Sequence, residues 1–123
     1  MAESGNFQMP EAYDTMTALL QRRRDFTALF AISDAMAVAA IKALDDAGLR
    51  VPQDCSVIGI DGIVMSNYAR PTLTTLVQPA EQIAEAGVRI LVDMIEGRGG
   101  NRHVQVSAQL RPGHSVCDRT DIG

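Results

Sequence analysis

The stretch from Phe26 to Asp61, FTALFAISDAMAVAAIKALDDAGLRVPQDCSVIGID, decides the fold. Phe26 to Ile32 is a short apolar run rich in β-formers, and it reads as a buried strand. Ser33 and Asp34 follow, both good residues for opening a helix. The next segment, Asp34 to Ala47, is apolar almost all round through Met36, Val38, Ala40, Ile41, Ala43 and Leu44, so the helix is expected to be covered on more than one side. Gly48 supplies a left-handed stop, Leu49 an apolar contact after it, and Pro52 prevents continuation. Ser56 to Ile60 is then a second buried strand. Strand, helix and strand within roughly 30 residues make one βαβ unit, with a right-handed crossover and parallel strands.

The pattern extends both ways from this unit. Upstream, Pro10 to Arg23 carries Tyr13, Met16, Thr17, Leu19 and Leu20 near helical spacing, with Pro10 suited to a first turn. The run Arg22-Arg23-Arg24 falls at its C-terminal end, where cations are favoured, and reads as a solvated helix terminus rather than a DNA patch. Downstream, Ile63 to Tyr68 reads as one or two helical turns and Thr72 to Val77 as a third strand. Ala80 to Glu96 is a long amphipathic helix with the stripe Ile83, Ala84, Gly87, Leu91, Met94 and Ile95. Val104 to Leu110 alternates as an edge strand would, and the tail from Arg111 onward reads as irregular. The fold class is α/β, a parallel sheet flanked by helices.

Composition narrows the function. The chain has 123 residues, 46% hydrophobic and 21% charged, which describes a globular chain of about one domain and excludes collagen-like and disordered classes. A formal charge of −4 argues against a chain that grips nucleic acid by itself. Cys55 and Cys117 lie far apart and in no metal-ligand spacing, so neither a disulfide framework nor a metal site is expected, and reduced thiols in the cytoplasm are. No basic and apolar leader opens the sequence, and no apolar run approaches the length of a membrane span. Nucleophile elbow, phosphate loop and dinucleotide fingerprint are all lacking, and His103 and His114 stand isolated. No catalysis and no cofactor are expected.

In an open parallel α/β sheet, ligands bind beyond the carboxyl ends of the strands. Ser33 and Asp34 follow the first strand, Asp61 the second and Gln78 the third. Phe7, ahead of the first helix, belongs on the same rim if a strand precedes it. A hydroxyl, two carboxylates, an amide and an aromatic face suit a sugar or similar polyol. Each has a plainer reading: Ser33 and Asp34 as helix caps, Asp61 as a turn residue, Gln78 as a linker, Phe7 as core.

Three strings carry a resemblance: Ala31-Ile32-Ser33-Asp34-Ala35-Met36-Ala37; Leu49-Arg50-Val51-Pro52-Gln53-Asp54 running on to Ser56-Val57-Ile58-Gly59-Ile60-Asp61; and Leu73-Thr74-Thr75-Leu76-Val77-Gln78-Pro79. In order and spacing they resemble the lactose/galactose repressor (LacI/GalR) family over about residues 5 to 112. The resemblance implies a periplasmic-binding-protein-like effector domain, present mainly as its C-terminal lobe. It implies a small-molecule effector, commonly a sugar, contacted at the positions of Phe7, Ser33 and Asp61 with Asp34 and Gln78 close by. Ser33 stands where the family usually has Asn, and Gly62 where it often has Asp or Asn. It further implies a homo-oligomer, in most cases a dimer, with operator DNA read by an N-terminal head outside this sequence. The helix from Ala80 to Glu96 would pack on an N-terminal lobe, leaving its stripe uncovered here and favouring association. A sugar-binding component of a transporter, which shares the fold, is the alternative.

Overall fold

In the computed structural model, which describes residues 1–100 and 102–120, the elements follow one another as α1 (Met9–Arg22), β1 (Ala28–Phe30), α2 (Asp34–Asp46), β2 (Ser56–Asp61), a 3₁₀ turn (Val64–Asn67), β3 (Thr74–Val77), α3 (Ala80–Ile95) and β4 (Gln109–Arg111). The strands form one sheet in the order β1-β2-β3-β4. β1 pairs with β2 in parallel, Ala28 opposite Ser56, and β2 with β3 in parallel, Gly59 opposite Thr75 and Asp61 opposite Val77. The sheet as a whole is mixed, so the wholly parallel sheet expected from sequence holds for its first three strands.

The chain divides into two compact units, residues 1–77 with 110–123, and residues 78–109. The core of the first unit lies where α1, α2 and β2 meet, around Met16, Leu20, Ile41, Leu44, Val57 and Leu73. α2 packs on α1 with one side and on β2 with another, which explains why its apolar residues run round the helix. Its stop is made as the sequence indicates: Gly48 has φ +79°, and the Leu49 N–H donates to the Leu44 carbonyl at 2.9 Å. The three consecutive arginines are all engaged. Arg22 pairs with Glu3 and Arg23 with Asp25, while Arg24 donates to the carbonyls of Leu20 and Ala47.

Two strands differ from their sequence reading. The first is shorter than Phe26–Ile32 and buried on one face only: Leu29 and Ala31 join the core, whereas Phe30 and Ile32 are exposed. Its uniform apolarity suggests burial on both faces, but among the described residues the face carrying Phe30 and Ile32 is left uncovered. The last strand occupies Gln109–Arg111 instead of Val104–Leu110, because alternation without a paired neighbour does not make a strand. The tail is irregular yet tied down. Ser115 is fully buried, its hydroxyl donating to the Val57 carbonyl and accepting from the Thr74 N–H, so it joins β2 to β3. Arg119 donates to the carbonyls of Thr27, Gln53 and Asp54.

The second unit contains α3, which has no buried residue. Ile83, Val88, Leu91, Met94 and Ile95 are all exposed. Among the described residues no helix is long and apolar enough to cross a membrane, and no cluster of ligating side chains could hold a metal ion.

Candidate functional site

Two adjacent parallel strands bring the candidate rim together. β1 leads through Ala31 and Ile32 to Ser33, while β2 ends at Asp61. The Ala31 N–H donates to the Ile58 carbonyl at 2.9 Å, holding the two strand exits side by side. Ser33 is the N-cap of α2: its hydroxyl accepts from the Met36 N–H at 3.2 Å, satisfying one of the unpaired donors of the first turn. Asp61 is half-buried at the strand end with φ +135°, a backbone region that residues with a side chain rarely occupy.

Asp34 is placed differently from the expectation of a carboxylate on the lip. It is 0% exposed and sits beneath the rim. Its Oδ2 accepts from the N–H groups of Gly62 at 2.9 Å and Ile63 at 3.0 Å, and its Oδ1 accepts from the Thr75 hydroxyl at 2.5 Å. The physical reason is local. Gly59, Thr75 and the turn after Asp61 together make a polar recess at the start of α2, and a buried carboxylate is tolerated only where donors surround it.

Phe7 lies at the tip of a tight turn in which Asn6 and Phe7 both have positive φ and the Gln8 N–H donates to the Gly5 carbonyl at 3.0 Å. The turn rests on the first turn of α2, since a β-carbon on Gly5 would lie 2.7 Å from the Met36 methyl. Phe7 is 62% exposed, so the core reading does not apply to it. A mostly apolar cavity of about 670 Å³ opens beside it, lined by Phe7, Leu19, Phe30, Ile32 and Met36 among others. Ser33 and Asp61 are not part of that lining. Gln78 belongs to the second unit, where it is exposed and its carbonyl accepts from the Ala80 N–H. By chain connection it follows Val77, the register partner of Asp61.

Sequence reasoning did not single out Thr75, Gly59, Ser66 or Arg111. Arg111 donates through Nη2 to the Ser66 hydroxyl at 2.5 Å, and Ser66 in turn donates to the Ile63 carbonyl at 2.6 Å. The segment after Asp61 is therefore braced by Asp34 at its start and by Arg111 further along. The buried Nε of Arg111 has no hydrogen-bond partner among the described residues. A Thr in a strand and an Arg near the C-terminus carry no local pattern that would have marked them.

Residues 2–116 match the periplasmic binding protein-like domain family. The chain is 44% identical over 107 residues to the HTH-type transcriptional regulator MalR of Clostridium butyricum, covering 87% of this chain and 32% of that protein. It is 39% identical over 115 residues to the HTH-type transcriptional repressor PurR of Serratia proteamaculans, covering 93% of this chain and 34% of that one. Among solved structures it is similar to the transcriptional regulator CelR in complex with cellobiose, with TM-score 0.83, 35% identity, and 90% of this chain and 34% of that chain covered. It is also similar to a LacI family transcriptional regulator from an Arthrobacter species in complex with lactose, with TM-score 0.81, 28% identity, and 91% and 43% covered. The chain spans about a third of the length of the curated relatives it matches. With a match running from residue 2 to residue 116, this chain belongs to the periplasmic binding protein-like domain family and shares the fold of LacI-family regulators.

Proposed function

We propose that the chain is the effector-sensing part of a transcriptional regulator, and that a sugar or similar polyol binds at the rim carrying Phe7, Ser33 and Asp61, with Asp34 behind it. One observation carries the reading: Ser33 and Asp61 close the carboxyl ends of adjacent parallel strands. The Asp61 carboxylate accepts from vicinal hydroxyls, and the Phe7 ring packs on an apolar face of the ligand. Relatives named as HTH-type regulators support this reading over a transporter component. Structures described as complexes with cellobiose and lactose support a sugar.

Ligand binding shifts the balance between two arrangements of the lobes, and an N-terminal helix-turn-helix head reports that shift to operator DNA. The regulator works as a homo-oligomer, and the apolar face of α3 seats on a neighbouring lobe, since a contiguous exposed patch of that kind marks an interface. The test is a thermal-shift and calorimetric titration with lactose, cellobiose and adenine. A sugar at a hundredfold excess over Kd raises stability by about 2.7 kcal/mol. A response to adenine alone, or a sugar response unchanged by Asp61→Ala, would overturn the assignment.

A further inference from the structure

We propose that Asp34 is a positioning residue: together with Thr75 it clamps the turn Asp61–Ile63, so that the Asp61 carboxylate is set for its ligand before the ligand arrives. The inference deepens the function proposed above and rests on its reading of Asp61. Asp34 itself is out of reach of any ligand, being fully buried. Nor is it needed as a cap, because the Ser33 hydroxyl already accepts from the first turn of α2. Its three hydrogen bonds go elsewhere, two to the N–H groups that directly follow Asp61 and one to Thr75 on β3.

The recess is cut to the carboxylate. Thr75 and Gly59 face each other across the β2–β3 register, and Asp34 Oδ1 lies over that pair. At Gly59 a β-carbon would stand 2.6 Å from Oδ1, so this position two residues before Asp61 has to lack one. The strained residue, Asp61 at φ +135°, is thus fixed on its C-terminal side by two charge-assisted hydrogen bonds and on its N-terminal side by the strand. A turn held in a sparsely populated conformation needs surroundings that over-determine it, and Asp34 supplies them.

The experiment needs no ligand, so it separates failure of the clamp from failure of the sugar assignment. Asp61→Gly removes the backbone strain, and Asp34→Asn lowers Tm. If the clamp works against strain at Asp61, releasing it lets that strain relax, so Asp34→Asn costs about half as much or less with Asp61 in place as it does when Asp61→Gly has already removed the strain. Equal losses in both backgrounds would overturn the proposal. Should Asp34→Asn fail to fold, Thr75→Val, which removes one buried donor at similar volume, takes its place in the cycle. Amide hydrogen exchange gives the second readout. The Gly62 and Ile63 amides exchange about tenfold faster after the substitution while those of Val57 and Ile58 keep their protection. Uniform acceleration along β2 would reduce Asp34 to a general core acceptor and sink the clamp.

Discussion

Gly59 and Asp34 occupy what is sterically a single site: a β-carbon on the glycine would fall 2.6 Å from Oδ1 of the aspartate, closer than real contacts come. The flanking atoms leave no escape, with Leu73 Cδ2 at 3.0 Å and the Ala37 methyl at 3.3 Å. Gly59→Ala therefore has to push Asp34 away from its donors. The expected cost is about 1–3 kcal/mol, the range for overpacking a close-packed core, read as a fall in the urea midpoint with an unchanged slope. A neutral Gly59→Ala would mean that the recess is looser than its geometry.

The core and the outer helix should answer mutation in opposite ways. Leu44 is 0% exposed at the centre of the cluster, and Leu44→Ala is expected to cost about 2–5 kcal/mol. Leu91 is 57% exposed on α3, so in this chain at concentrations too low for association Leu91→Gln is expected to change stability by less than about 0.5 kcal/mol. Parallel urea titrations compare them. A large loss at Leu91 would show that α3 is packed against something in solution.

Acid should weaken the loop after α2 in a defined window. Asp54 accepts from the backbone N–H, Nε and Nη2 of Arg50, and these hydrogen bonds hold its carboxyl at about 2, below the usual 3.8. A depressed carboxylate adds stability above its unfolded value and loses it as pH falls toward its folded one. The contribution is therefore intact above about pH 4 and disappears toward pH 2. Arg50 faces solvent and Asp54 is only half-buried, so the effect is small. Asp54→Asn should flatten the pH dependence of the urea midpoint between those values, and an unchanged slope would count against the pairing.

Cys55 should be inert in the folded chain. Burial pushes its thiol up to about 11, only partly offset by the Arg119 guanidinium, and its side chain is enclosed. At pH 8 the thiolate fraction is then far below that of an ordinary thiol. Iodoacetamide at that pH is expected to leave Cys55 unlabelled in the native chain and to alkylate it fully in denaturant, as read by peptide mass. Equal native and denatured rates would show that the tail around Cys117 opens readily.

Local pattern alone determined the βαβ unit, the stops of its helices and the strand ends on which Ser33 and Asp61 stand, because periodicity, capping and turn chemistry act over a few neighbouring residues. It also marked α3 as amphipathic. What it left open was decided by contacts between segments far apart in the chain. Nothing near Thr75, Gly59 or Ser115 in sequence announces that the first two shape a recess for Asp34 and the third ties β2 to β3. The same holds for the exposure of Phe30, which depends on what packs against that face of β1 rather than on its own composition. A side chain's chemistry is local, whereas its partners and its access to water are set by which distant strand comes to lie beside it.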